Sequence, residues 1–550
     1  MLYIPPTTKN ERMIGMKAAE ALIRCLLEEQ VDRVFGYPGG FILHVYEALR
    51  KSRIHHVLVR QEQAAAHSAN GYARVSGKVG VCIGTSGPGA TNLITGIANA
   101  YMDSIPMVII TGQVKSSMIG RDVFQEADIT GATESFTKHS YLVREAKELP
   151  RIIKEAFYIA STGRPGPVLI DIPSDIQEAK IEYAYPATVD IRGYKPTLKG
   201  HSGQIKRAVK AMNESKRPLI VAGGGVLLSH AQPELRAFVE KTGIPLVHTL
   251  MGKGALPSRN RHCLGMIGTH GFAEANRALL RSDLLIFIGA RIADRAWGGV
   301  SDKALQSARI IHIDIDPAEI GKNVGSQIPL VGDAKTILSE ITSKASPLNT
   351  EEWLTELEGY KKEATRKETG LVDPKYAIRL LSDKLEEDAI MVADVGQNQM
   401  WAARNFEDTP GRIFMTSGGL GTMGYSLPAA VGAKFAAPKR QVVAVMGDGS
   451  FQMSLFELGT IKANQLRVVL LLFNNSRLGM VRELQDRNYG KTHSVDLDQN
   501  PDFIKLCEAY DIPGIRVMNN EKLSEAMDKA LKHKGPFIIE CMVDPWESTL

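Results

Sequence analysis

Paired or clustered cysteines are missing from this chain. Its five cysteines (Cys25, Cys82, Cys263, Cys507 and Cys541) lie far apart, with no Cys-x-x-Cys and no His/Cys cluster. That pattern argues against a zinc site and for buried thiols in a reducing compartment. A dense Lys/Arg tract is also missing. The 66 basic and 61 acidic residues leave a formal charge of only +5 over 550 residues, so nucleic-acid binding has little support. No apolar run approaches the ~20 residues of a membrane-spanning helix. Residues 1–16 lack both the apolar stretch of a secretory signal and the Arg/Ser enrichment of a transit peptide. A soluble, cytoplasmic protein with no nucleic-acid or membrane partner is the expectation.

What is there is an α/β rhythm. The composition, 44% hydrophobic and 23% charged, is that of a globular protein with ample core, and the length suits about three domains. Short β-rich apolar runs recur at 57–59, 79–83, 107–110, 168–172, 219–222, 284–288, 310–313, 390–393, 442–446, 468–473 and 537–541, with helical stretches between them. Buried strands alternating with helices predict parallel sheets covered on both faces. Polar breaks at 186–200 and 346–350 divide the chain into about 1–185, 190–345 and 370–550. A helix is expected over 351–365. No strict sequence repeat links the three segments.

The most informative stretch is Gly447-Asp448-Gly449-Ser450, followed by Asn474-Asn475. A strand-like run delivers Asp448 into a glycine turn, and a second run delivers the paired amides. The 27 positions from Asp448 to Asn475 leave room for one helix and a return strand. Both groups can therefore meet at the carboxyl ends of neighbouring parallel strands. One carboxylate, one amide carbonyl and a nearby backbone carbonyl suit Mg²⁺, which takes oxygen ligands and commonly binds through phosphates. The glycines let the backbone close on a diphosphate, whose charge the following helix N-terminus favours. A lone Gly-Asp-Gly occurs in many ordinary turns. The full pattern, with strands on both sides, resembles the thiamin diphosphate (ThDP) enzyme signature.

Glu62, just after the run 57–59, opens an alanine-rich helix. By itself it is a first-turn glutamate favoured by the helix dipole. Beside a ThDP signature it matches the carboxyl group that hydrogen-bonds N1′ of the aminopyrimidine ring. The resemblance then narrows. Val34-Phe35-Gly36-Tyr37-Pro38-Gly39-Gly40, the Glu62 segment, Gly84-Thr85-Ser86-Gly87-Pro88-Gly89-Ala90-Thr91-Asn92, Phe124-Gln125-Glu126 and Thr137-Lys138-His139 look like the pyrimidine domain of acetolactate (acetohydroxyacid) synthases. Gly396-Gln397-Asn398-Gln399 and Ser417-Gly418-Gly419-Leu420-Gly421-Thr422-Met423-Gly424 resemble that family's diphosphate domain. The likeness runs along essentially the whole chain in the family's order.

The resemblance implies three doubly wound parallel-sheet domains: pyrimidine-binding, central FAD-binding and diphosphate-binding. It implies that Met423, otherwise a core methionine, props ThDP in a bent conformation, and that the Gly421 carbonyl accepts from its 4′-amino group. Asp448, Asn475 and the Arg477 carbonyl are implied to hold Mg²⁺. Gly40, Gln113, Phe124 and Lys138 match positions lining the reaction pocket. Further cofactor contacts are implied at Arg164, Gly396, Gln397, Gly447, Gly449, Ser450, Met480 and Met266. In this family Glu62 and Asp448 would meet only across a dimer interface between two copies of the chain.

In the middle segment Gly223-Gly224-Gly225 follows a strand-like run, a weak signal alone. Together with Gly289-Ala290-Arg291-Ile292-Ala293-Asp294-Arg295, Ile311-His312-Ile313-Asp314 and Gly332-Asp333 it resembles the family's FAD-binding segments. Arg291 is implied to approach the FAD diphosphate, and Asp314 and Asp333 its ribose and adenine. The family requires FAD without oxidising or reducing it in its main reaction. Arg295 is implied to face the pocket, where a guanidinium fork suits the carboxylate of a 2-oxo acid.

Four features depart from the family pattern. Leu484 stands where most members have a tryptophan associated with 2-oxobutanoate as acceptor and with sulfonylurea binding. Phe41 replaces a small residue, Ala293 replaces an aspartate, and a Pro/Gly-rich tail expected after Trp546 is absent. The expected activity is acetolactate synthesis from two 2-oxo acids, foremost pyruvate, by a homodimer or tetramer, and the sequence leaves open whether a small regulatory subunit binds it. The alternatives are another ThDP-dependent decarboxylase or carboligase, a flavin-linked pyruvate oxidase and, last, a non-catalytic regulatory subunit.

Overall fold

The computed structural model describes residues 13–297, 308–360 and 370–549. The chain divides into two compact units, residues 1–194 and 195–550. The first carries one six-stranded sheet and the second carries two, all with parallel pairing.

In the first unit the strands lie side by side as His55–Leu58, Arg33–Gly36, Gly80–Gly84, Met107–Gln113, Pro167–Pro173 and His139–Leu142. The order in the last sheet is Ile413–Thr416, Ile390–Ala393, Val442–Gly447, Val469–Asn474, Phe537–Met542 and Gly514–Val517. Numbered along the chain within each sheet, both read 2-1-3-4-6-5. The molecule thus holds a topological repeat that its sequence does not show. The middle sheet, Cys263–Met266, Leu246–His248, Pro218–Ala222, Leu284–Ile288, Arg309–Asp314 and Ile328–Val331, reads 3-2-1-4-5-6. An additional antiparallel pair, Met13–Lys17 with Lys180–Tyr183, lies outside the three sheets.

Most interior strands are the apolar runs seen in the sequence; Arg33–Gly36 and Leu246–His248, also interior, are not among those runs. Met107–Gln113, Pro167–Pro173 and Val469–Asn474 are buried along their whole length, because helices cover both faces of a parallel sheet. Edge strands were not legible in the same way. His139–Leu142 is half-exposed and Gly514–Val517 nearly so, so neither carries a continuous apolar run. The stretch 184–201 has no helix or strand, as expected of a linker, and the helix expected over 351–365 is observed as Glu351–Glu358. Residues 359–360 form a turn, and 361–365 lie outside the described residues.

Each sheet reverses direction of winding at one point, and there the carboxyl ends of two strands diverge to leave a crevice where ligands bind in open α/β sheets. In the last sheet that point lies between Ile390–Ala393 and Val442–Gly447. In the middle sheet it lies between Pro218–Ala222 and Leu284–Ile288. No helix among the described residues is long and apolar enough to cross a membrane.

Candidate active site

Asp448 and Asn475 emerge from adjacent strands. Val442–Gly447 and Val469–Asn474 pair in parallel with Gly447 opposite Phe473, so the residues that follow each strand end lie side by side. Asp448 opens the short helix Asp448–Gln452, and the Ser450 hydroxyl closes the turn on the Gly447 N–H at 3.1 Å. A Cβ on Gly449 would lie 2.8 Å from the Leu478 side chain and 3.7 Å from the Met423 methyl, so the turn sits close against both. Asp448 is 1% exposed. Burial pushes its carboxyl up to about 6, against the opposing effect of neutral donors: Asn500 and the backbone N–H groups of Gly449 and Ser476. A buried carboxylate held by neutral donors is a site that a cation stabilises.

Asn475 donates to Gln397 Oε1 at 3.1 Å and accepts from the Arg477 N–H at 3.1 Å. Between them Ser476 adopts φ +53°, a left-handed turn of the chain. Gln397 begins the helix Gln397–Asn405 and donates to Glu483 at 2.9 Å and to the Glu547 carbonyl at 2.8 Å. Gly396 precedes it at φ +142°, where a Cβ would lie 2.7 Å from Asn398 Oδ1. The loop carrying Gly421 and Met423 is pinned by Asp394. Its carboxylate accepts from the Gly424 and Ser426 N–H groups at 2.9 and 2.8 Å. Gly421 has φ +76° and no atom near a prospective Cβ. One carboxylate and one amide thus lie at the carboxyl ends of the adjacent strands Val442–Gly447 and Val469–Asn474, and Gln397 bonds Asn475 from across the neighbouring switch point. This set fits Mg²⁺ and a diphosphate.

In the first unit Glu62 is the first residue of the helix Glu62–Ser76, which starts after the extended Gln61 and stops at the left-handed Gly77. The helix sits deep because its buried face is alanine. A Cβ on Gly96 would lie 2.3 Å from Ala66. Glu62 is itself buried, and Asn92 donates to its Oε2 at 2.9 Å. Gly39 and Gly89 both lie against Thr85, so the segments 37–41, 62 and 85–92 converge on one spot. Gly40 has open space beside it.

Gln113 is locked. Its Nε2 donates to Ala127 O and to Asp171, at 2.8 and 2.9 Å, while its Oε1 accepts from the Val114 N–H. Phe124 is 80% exposed. Lys138 is half-buried. Its ammonium donates to the carbonyls of Ile159 and Thr162 and to the Tyr194 hydroxyl. Those carbonyls end the helix Leu149–Ser161, where a cation is favoured. Arg164 donates to Ser104 at 2.9 Å and stacks over Tyr101.

In the middle sheet Gly223 and Gly225 pack on the Gly289 turn. A Cβ on either would lie within 2.6 Å of that backbone, and one on Gly224 would lie 3.2 Å from Met251. Arg291 follows this pair of turns and is half-buried. Asp314 is buried and accepts from the Asp316 N–H at 2.9 Å. Both Asp333 oxygens serve the fold: one accepts from Ser229, the other caps the helix Ala334–Lys344 through Thr336. Arg295 is exposed and lies 3.6 Å from the Asp294 carboxylate. Met266 packs on Met400 and Ala403, with Met480 beside them.

The chain matches the N-terminal TPP binding domain of thiamine pyrophosphate enzymes over residues 16–132, their central domain over 205–341, and their C-terminal TPP binding domain over 394–541. It is 45% identical to a probable acetolactate synthase large subunit of Methanococcus aeolicus, over 96% of this chain and 92% of that protein. It is 47% identical to the acetolactate synthase large subunit of Corynebacterium glutamicum, over 97% and 87%. The Haemophilus influenzae acetolactate synthase large subunit is 43% identical, over 97% and 96%.

The chain belongs to the acetolactate synthase large-subunit family. It is a ThDP-dependent enzyme of that family, and its first and last sheets are the ThDP-binding domains.

Several residues that serve this family member's site carried no recognisable motif. Asp394, Asn500 and Glu483 are buried or half-buried polar side chains that hold the glycine turns, Asp448 and Gln397. Arg404 donates to the His270 and Gly271 carbonyls at 2.8 and 2.9 Å, tying the helix after Gln397 to the middle sheet. Each depends on a partner tens of positions or more away, so no local pattern announces it.

Proposed function

We propose that the chain condenses two 2-oxo acids, pyruvate with pyruvate in the first instance, releasing CO₂ and forming 2-acetolactate. The observation that carries this reading is that Asp448 and Asn475 follow the carboxyl ends of two adjacent parallel strands, in a chain of this family. ThDP, when bound, supplies the nucleophilic carbon and the electron sink for decarboxylation and carboligation.

The chain's own residues bind and orient. Asp448, Asn475 and the Arg477 carbonyl would hold Mg²⁺, with Gly447, Gly449 and Ser450 about the diphosphate. Gln397, Gly396 and Met480 flank them. Met423 and the Gly421 carbonyl would set the cofactor's conformation. Glu62, buried and held by Asn92, would hold a proton against the pyrimidine ring. Gly40, Gln113, Phe124 and Arg295 are proposed on the substrate side. Two copies of the chain would complete each site, and the large-subunit names of the relatives support a small regulatory subunit as a further partner.

FAD is proposed at the switch point of the middle sheet. The paired glycine turns at 223–225 and 289, with Arg291 and Asp314 beside them, support this. Flavin absorbance of the purified protein tests it. The domain limits proposed for pyrimidine, FAD and diphosphate binding are 1–185, 190–345 and 370–550.

The deciding experiment is an acetoin-type colour assay with pyruvate, ThDP, Mg²⁺ and FAD, run beside Glu62→Ala. Wild-type protein is expected to form acetolactate and the variant to lose at least about a hundredfold in rate, the scale of a positioned acid–base group. ThDP binding without acetolactate in the wild type would end the substrate assignment.

A further inference from the structure

The segment 495–500 touches both loops that carry the proposed Mg²⁺ ligands. The Leu478 N–H donates to the Val495 carbonyl at 2.8 Å, and the Leu497 N–H to the Ser476 carbonyl at 2.8 Å. These bonds flank an antiparallel bridge between Arg477 and Asp496, whose side chains also pair at 2.9 Å. At the end of the segment Asn500 Nδ2 donates to Asp448 Oδ2 at 2.7 Å and reaches Asn474 Oδ1 at 3.4 Å. Its own Oδ1 accepts from Gln452 Nε2 at 2.9 Å.

The far side of Asn474 is held as well. Its Nδ2 donates to the buried Glu540 at 2.8 Å, and Glu540 takes the Arg516 guanidinium on its other oxygen at 2.8 Å. A single side-chain amide therefore bridges the ends of two parallel strands, and each end is anchored independently. An amide is the suitable bridge chemically. It fixes one carboxylate oxygen without neutralising the charge a cation needs, which an Arg or Lys in its place would do.

We propose that Asn500 is a positioning residue for the metal site: it holds Asp448 Oδ2 and the Asn474–Asn475 turn so that Asp448 and Asn475 face one divalent cation together. The proposal rests on the reading of Asp448 and Asn475 as Mg²⁺ ligands.

ThDP binding to the full chain, followed by tryptophan fluorescence over a MgCl₂ series, tests it. Asn500→Ala and the closer-shaped Asn500→Leu are both expected to raise the Mg²⁺ needed for half-maximal ThDP binding about tenfold, the usual effect of losing a residue that orients a ligand. Saturating Mg²⁺ should restore the wild-type plateau. The unfolding temperature without Mg²⁺ and ThDP should stay unchanged, whereas a purely structural role would lower it and leave the Mg²⁺ requirement alone. If Asn500→Ala fails to fold, Asn500→Leu carries the test. A wild-type Mg²⁺ requirement in a folded variant overturns the proposal and leaves the metal site standing. ThDP binding by the wild type that ignores Mg²⁺ overturns both.

Discussion

The ammonium of Lys138 donates to the hydroxyl of Tyr194 at 2.8 Å and lies 5.2 Å from the centre of the same ring. With the two helix-end carbonyls it also holds, this makes Lys138 a clasp between the end of a helix and the last residue of the first unit. A charge in hydrogen bonds of this kind contributes more than a neutral donor does.

Lys138→Met is accordingly expected to lower stability by about 2 kcal/mol, in the range of hydrogen bonds to charged groups. Thermal unfolding reads this directly. KM for pyruvate, measured where the variant is folded, should stay close to that of the wild type. A raised KM with unchanged unfolding would place Lys138 in the substrate pocket.

Asp171 gives the fold a pH dependence. Burial pushes its carboxyl up to about 7 from an ordinary 3.8, against hydrogen bonds from Thr111 and Gln113 that favour the charged form. Between those values the folded chain keeps a proton that the unfolded chain releases. Stability from this group is therefore full below about pH 4 and is lost as the pH rises through 7, by about 2–4 kcal/mol. Asp171→Asn removes the titration. Its unfolding free energy should fall less between pH 5 and pH 8 than that of the wild type, and equal slopes would refute this.

Leu484 lies half-buried on the helix Gly479–Tyr489 that follows Arg477. With pyruvate and 2-oxobutanoate supplied equally, the Leu484→Trp variant is expected to shift products toward the 2-oxobutanoate adduct by roughly tenfold, the scale of one added contact in an apolar pocket. Product ratios by chromatography check it. An unchanged ratio would place the acceptor choice elsewhere, with Phe41 the next residue to alter.

Most central strands and the glycine turns were legible because each is local, and Asp448 and Asn475 because each follows such a strand directly. A strand buried on two faces must be apolar throughout, as Met107–Gln113 is. A turn whose backbone packs on another as closely as Gly225 does on Gly289 must be glycine. The edge strands Cys263–Met266 and Ile413–Thr416 left no such mark, since one face or one edge of each is open.

By itself the sequence determined the α/β class, the family and the residue types at the carboxyl ends of the strands, since periodicity and glycine spacing are properties of short stretches. The tertiary structure alone decided that the first and last sheets share the order 2-1-3-4-6-5. It alone decided that Lys138 closes a helix, that Asp333 caps one, and that Asn500 reaches Asp448. Those are choices of partner. A buried polar group must find a hydrogen bond, and which one it finds is set by the packing of elements distant in the chain.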